Sequence, residues 1–224
     1  MEYLKNLYGA DDQKISVITP GVDKTLFKPI EKSYAKKFIG AESRHKIILF
    51  VGRVEPLKGI DSLLYALKIM IEKTPGLNVC LWIVGGDISQ KPSLWSRELR
   101  KIEELRRFFN MTTIVKFIGQ KPQSELPYYY NASEIVVMPS HYESYGMAAL
   151  EAMACGVPVI TSNVSGIANL IDDKYQELIT SASNPLLLAE QMEQLLTNKE
   201  IRNQFISYAV NQVKDLSWKE VAAR

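Results

Sequence analysis

Short apolar runs alternate along the chain with longer segments whose apolar positions recur at helical spacing. Lys46–Arg53 (KIILFVGR) reads as a buried strand. It is followed by Gly59–Lys73, where Ile60, Leu63, Leu64, Leu67, Met70 and Ile71 fall on one helical face and Asp61 sits favourably at the N-terminal end. Asn78–Gly86 reads as a second strand ended by glycines, Ser93–Phe109 as a helix, and Thr113–Gly119 as a third strand. Gln123–Ser133 reads as a short helix with Pro122 at its start, and Glu134–Ser140 as a fourth strand. A helix running to about Cys155, a strand over Val157–Ser162, and helices over about Leu186–Leu196 and Lys199–Val213 complete the pattern. Uninterrupted apolar strands separated by helical crossovers predict an α/β, Rossmann-like, doubly wound parallel sheet covered on both faces. Ile15–Ile30 reads differently, as a linking strand that runs into a Pro-Gly turn. The expected division is therefore a lead-in segment over residues 1–30 and a domain over 31–224 that includes the C-terminal helices. The half-helix at the start reads as a continuation from something upstream.

In such a sheet, ligands bind at the carboxyl ends of the strands, so the loops that follow each strand carry the chemistry. After the first strand, GRVEPLKG places Arg53 and Lys58 beside a helix N-terminus. A guanidinium grips phosphate oxygens bidentately, a lysine acts as a point charge, and free N–H groups add a positive end; together they suit a diphosphate. The missing Gly-Lys-Ser/Thr ending excludes a P-loop. Gly85 and Gly86 permit close approach of a backbone or a ligand without forming a dinucleotide fingerprint. After the fourth strand comes HYESYGMAALEAMACGVPVI. Here Gly146 opens a helix, and N–H groups near Tyr145, Gly146, Met147 and Ala148 predict an anion site. Glu143 precedes that helix and Glu151 lies inside it, up to about 12 Å away if the whole stretch were helical. The helical neighbours of Glu151 (Met147, Leu150 and Cys155) are apolar. A carboxylate placed there costs several kcal/mol unless partnered. Vicinal hydroxyls, as on a ribose, would accept it as a bidentate partner.

The totals narrow the function classes. The 224-residue chain is 46% hydrophobic and 23% charged with a net charge of +2, which suits one large soluble domain and gives no reason to expect nucleic acid. Arg100–Phe109 mixes both signs in the manner of a solvated helix face. Two cysteines, Cys80 and Cys155, sit in apolar runs and read as buried thiols of a reducing compartment. The first residues lack a signal-peptide pattern, no apolar stretch reaches the roughly 20 residues that cross a bilayer, and a cytoplasmic location is expected.

Taken together, ESYGMAALE followed by AMACGVPVI resembles the E-x7-E motif of retaining glycosyltransferases of family 4 type. TPGVD, VGRVEPLKG, FIGQ and VVMPS fall in that family's order and spacing. The resemblance spans roughly Ile15 to Leu196 and implies the C-terminal, donor-binding half of a GT-B enzyme. By that resemblance, Arg53 and Lys58 hold the donor diphosphate and Glu143 bonds hydroxyls of the transferred sugar. Tyr145, Gly146, Met147 and Ala148 offer backbone groups, Glu151 binds the ribose, and Gly119, Gln120 and Lys121 border the nucleobase. It further implies a hexosyl donor in the form of a nucleotide diphosphate sugar and no separate cofactor. The absence of D-x-D fits transfer without a metal. The acceptor would be held by a half not contained in this sequence, through which any peripheral membrane contact would run, and the fragment alone would transfer nothing. His141 reads as a bystander. Two segments depart from the family pattern: SGIANLI (165–171), where Asn169 stands in place of a Glu, and DKYQELIT (173–180), which lacks a Gly-rich turn. Two other readings stay open: a non-catalytic nucleotide-sugar-binding module, and another enzyme acting on nucleotide sugars on the same fold, such as an epimerase. The missing fingerprint argues against a dinucleotide-dependent oxidoreductase.

Overall fold

The computed structural model describes residues 6–9, 11–16, 18–164, 166–171, 175, 178–181 and 183–223. Among the described residues, six parallel strands form one sheet: β1 Lys46–Val51, β2 Val79–Val84, β3 Val115–Gly119, β4 Ile135–Met138, β5 Val159–Ser162 and β6 Ile179–Thr180. Their spatial order is β3-β2-β1-β4-β5-β6. Every position of β2, β4 and β5 is buried. Successive side chains point to opposite faces, so both faces are covered, as the apolar runs predict. The edge strand β3 is the exception, with Lys116 exposed.

The flanking helices are α1 Lys32–Phe38, α2 Ile60–Lys73, α3 Arg97–Phe108, α4 Leu126–Ala132, α5 Met147–Ala154, α6 Pro185–Thr197, α7 Lys199–Gln212 and α8 Trp218–Ala222. Helix α2 buries Ile60, Leu63, Leu64, Leu67 and Met70, the stripe read from its spacing, and packs on α6. Helix α5 buries six consecutive residues, Ala149 to Ala154, Glu151 among them, and is therefore buried all round.

Three expectations change. The linking strand over Ile15–Ile30 is not formed: among the described residues Val22 makes one isolated bridge with Ser217, while Val22 and Phe27 are fully buried in the main core. The chain there is held through side-chain and backbone contacts. Asn131 Oδ1 accepts the Ile30 N–H at 2.7 Å and its amide donates to Lys28 O and Pro127 O. Helix α4 starts at Leu126 with Pro127 in its first turn, so Pro122 lies in the loop before it. Helix α3 is not wholly solvated. Glu103 is buried between Arg106 and Arg107, at 2.6 and 2.5 Å, and Arg106 also donates to Val115 O at 2.8 Å. The short α1, α8 and β6 carry too few periodic positions to stand out in the sequence.

Candidate functional site: a groove at the switch point of the sheet

Strand β1 lies between β2 and β4, so the direction of winding reverses between β1 and β4, and a crevice opens there at the carboxyl ends. The loop after β1 is drawn into this crevice. Gly52 N–H continues the pairing to Val84 O at 3.0 Å. A 3-10 turn over Pro56–Lys58 then ends at Gly59, whose φ is +64°. A Cβ at Gly59 would stand 2.0 Å from Pro139 O, so only glycine lets the β1 loop sit against the end of β4. His141 N–H donates to Leu57 O at 2.8 Å and ties the two loops together; its side chain is exposed.

This clamp brings Lys58 and Glu143 into contact, with Nζ 2.6 Å from Oε2 and both side chains largely buried, 14% and 12% exposed. They lie 85 residues apart in the chain, and each meets the opposite charge that its partial burial requires. One of the three Lys58 donors is engaged by Glu143, which leaves capacity for an anion. Arg53 is placed differently. Its side chain is 77% exposed, and Nη1 lies 2.8 Å from Glu55 Oε1. Exposed pairs of this kind contribute at most about 1 kcal/mol, so an incoming phosphate can displace Glu55 at small cost.

Gly146 caps α5 with φ +101° and ψ +50°. The Ala149 and Leu150 N–H groups already bond to Gly146 O, so the Met147 and Ala148 N–H groups precede the helical ladder and point out of its N-terminus. Lys58, Ser140, Glu143, Gly146, Met147 and Ala148 line a hollow of about 260 Å³. A larger cleft of about 520 Å³ adjoins it, bordered among others by Glu55, Gly86, Asp87, Gln120, Lys121 and Leu126; Val51, Gly52 and Arg53 border both. Gly119 closes β3 with φ +79° and lies beside Gln120 in a third recess of about 390 Å³. Lys121 Nζ lies 5.9 Å above the Tyr129 ring. The glycines after β2 serve a backbone approach: a Cβ on Gly85 would lie 1.9 Å from Gly52 O. Tyr145 sends its carbonyl to Ile167 N–H at 2.8 Å, and its ring packs against Gly166.

Glu151 does not face solvent and does not line the groove beside Lys58. It is buried, and Tyr130 O–H donates to its Oε2 at 2.7 Å. Burial raises its pKa, while hydrogen bonds from Tyr130 and then Gln123 draw it back down. The chain before Met147 is not helical, so Glu143 and Glu151 do not share a helical column and the 12 Å rise does not apply. One turns to Lys58 and the other to Tyr130.

The sequence reading missed Tyr130 as a partner, Glu55 and Asp87 in the cleft, and Ser140, whose buried Oγ has no hydrogen-bond partner among the described residues. Glu55 and Ser140 stood in loops already flanking the site; nothing in LPYYYNA signalled a contact across 21 positions. Asn169 is exposed on a 3-10 turn over Gly166–Leu170. Ser165 and residues 173, 174, 176 and 177 of the departing segments lie outside the described residues. Among the described residues no group of three or more His, Cys, Asp or Glu could hold a metal ion, and no helix is long and apolar enough to cross a membrane.

Comparison with known proteins gives this groove a context. The chain is 31% identical to a D-inositol 3-phosphate glycosyltransferase of Frankia alni, over 98% of this chain and 54% of that protein. It is 32% identical to the protein of the same name from Rhodococcus erythropolis, over 98% and 49%. It therefore spans about half the length of the curated relatives it matches. Among solved structures, sucrose-phosphate synthase from Thermosynechococcus elongatus superposes with a TM-score of 0.84 at 28% identity, over 99% of this chain and 53% of that one. HepE of Anabaena, solved in complex with UDP and glucose, shares the fold with a TM-score of 0.81 at 20% identity, over 96% and 56%. These neighbours are glycosyltransferases of the GT-B type. The model described as glycosyl transferases group 1 matches residues 31–212, most of the chain, and the chain belongs to that family.

Proposed function

We propose that the chain is the donor-binding half of a retaining glycosyltransferase. The whole enzyme would move a hexosyl group from a nucleotide diphosphate sugar to an acceptor hydroxyl held by an upstream half, without a metal ion. The observation that carries this reading is the sequestered Lys58–Glu143 pair at the switch point, flanked by Arg53 and the N-terminus of α5. A diphosphate brings concentrated negative charge, and the groove offers two cations and free helical N–H groups within one hollow. In this proposal the bond from the anomeric carbon to the diphosphate breaks. Arg53, Lys58 and the Met147 and Ala148 N–H groups stabilise the charge that develops on the leaving oxygen. Glu143, held by Lys58, accepts hydrogen bonds from the hydroxyls of the sugar, and the backbone at Tyr145 and Gly146 forms its floor. Gly119, Gln120 and Lys121 border the base, and Glu151 takes the ribose.

Support for a nucleotide-sugar donor also comes from HepE, whose structures hold UDP, glucose and UDP-glucose, and support for glycosyl transfer from the names of the curated relatives. The same proposal treats residues 1–30 as the lead-in from the acceptor half and 31–224 as the donor domain. It also includes a cytosolic setting, consistent with buried free thiols at Cys80 and Cys155, which burial pushes to about 11 and about 12.

Calorimetric titration of the chain with UDP, GDP and ADP, and with their sugars, tests the reading. At least one should bind, and Lys58→Met should weaken its binding; failure of all of them to bind the folded chain would overturn it.

A further inference from the structure

Glu151 raises a physical problem that its ribose role leaves unsolved. A carboxylate buried to this degree favours its neutral form, and a neutral carboxyl is a poor bidentate acceptor for two hydroxyls. Something in the fold has to keep it charged and hold it still. The helix that carries Glu151 supplies apolar neighbours and Cys155, whose thiol is neutral because burial pushes it to about 12. The help comes from outside that helix. Tyr130, on α4, is fully buried, and its O–H reaches Glu151 Oε2 at 2.7 Å. Its ring is wedged edge-on against Phe27, with centroids 6.0 Å apart, so the phenol is fixed in direction. Gln123, in the loop before α4, also draws the Glu151 pKa down, less than Tyr130 does. Among the described residues, Tyr130, Gln123 and Cys155 are the groups that act on Glu151, and none of them is charged.

We infer that Tyr130 is a positioning residue for the nucleotide site: its phenol occupies one oxygen of the Glu151 carboxylate so that the other is presented to the vicinal hydroxyls of a ribose. The inference rests on the donor-site reading above. It assigns Tyr130 no contact with ligand. Its effect passes through Glu151 alone, and so it should appear only with ligands that carry ribose hydroxyls.

The test compares UDP, GDP and ADP with their 2′,3′-dideoxy counterparts, each titrated calorimetrically into the full chain and into Tyr130→Phe. Wild type should prefer the ribonucleotide. Tyr130→Phe should lower that preference about tenfold, the loss expected for one hydrogen bond to a charged group, and leave dideoxy affinity unchanged. The ratio should also respond to pH. Without the phenol, Glu151 protonates more easily, so the preference should fade at a higher pH in the variant than in wild type. The dideoxy control cancels titration of the phosphates. A wild type without ribose preference would defeat the reading of Glu151 itself, whatever Tyr130 does. A variant that melts at lower temperature yet keeps the wild-type preference and the wild-type pH midpoint would reduce Tyr130 to packing and overturn the inference. Should Tyr130→Phe not fold, the ratio is read with 3-fluorotyrosine incorporated at position 130. Its phenol is a stronger donor, so the pH midpoint of the ribose preference should move down, and an unchanged midpoint would contradict the inference.

Discussion

Lys58 and Glu143 illustrate what a pair contributes at the scale of single residues. Each side chain is largely buried and each neutralises the other, so removing one leaves an uncompensated charge in a poorly solvated place. Lys58→Met is expected to destabilise the fold by about 3 kcal/mol, and Glu143→Leu added to it should recover most of that. Urea denaturation of both variants would show it, and ligand affinity should not return in the double variant. Glu151 behaves in the opposite sense with pH. Burial holds its pKa above the ordinary value of 4.5, so the folded chain binds that proton more tightly than the unfolded chain. The group then opposes folding above its folded pKa, and the opposition is relieved as pH falls toward 4.5. Relative to Glu151→Gln, wild type should gain stability as pH is lowered from about 7 toward 4.5, read from urea midpoints at each pH; a constant difference would contradict the shift. Ser140 is the third case. Its buried Oγ has no partner among the described residues, and an unmade hydrogen bond costs about 1–3 kcal/mol. Ser140→Ala should therefore leave stability unchanged or raise it, as a thermal melt would report.

The elements that matter most are short and irregular. The loop after β1 reaches the end of β4 through the left-handed Gly59 and its close approach to Pro139 O. Gly59→Ala meets both an unfavourable φ and a backbone clash, and should cost more than about 2 kcal/mol. Because the clash separates the two loops, nucleotide affinity should fall as well, unlike the effect of an ordinary helix substitution of equal stability loss. The long elements were legible in the sequence: β2 and β4 are apolar throughout and β1 is apolar after Lys46, because a parallel sheet buries both faces, and α2 shows its stripe. The short ones were not. The lead-in segment looked like a strand because Ile15, Ile18 and Val22 are β-formers. A strand needs a neighbour for its backbone, and among the described residues only Val22 finds one.

At the scale of the whole molecule, the lead-in segment meets the C-terminal segment. Val22 N–H donates to Leu216 O at 2.7 Å, a Cβ on Gly21 would lie 2.8 Å from the Trp218 backbone, and Leu216 and Val221 are buried. A chain ending at Val213 uncovers these contacts and should lose about 3 kcal/mol, from burial of two aliphatic side chains. The same truncation leaves the groove residues in place, so nucleotide affinity measured well below the melting temperature should hold.

The order of apolar runs and helical stripes determined, without any coordinates, that the protein is a doubly wound α/β domain. The loops after β1 and β4 could be picked out because such a sheet binds ligands only at its carboxyl edge. Arg53, Lys58 and Gly146 followed as candidates, since their chemistry is local to those loops, while the role of Glu143 came from the family resemblance. Which carboxylate meets which partner was decided only by the tertiary structure. Lys58 finds Glu143 across 85 residues, and Tyr130 finds Glu151 across 21. Periodicity reports which side of an element is buried, whereas pairing of buried charge depends on where the packed elements bring side chains in space.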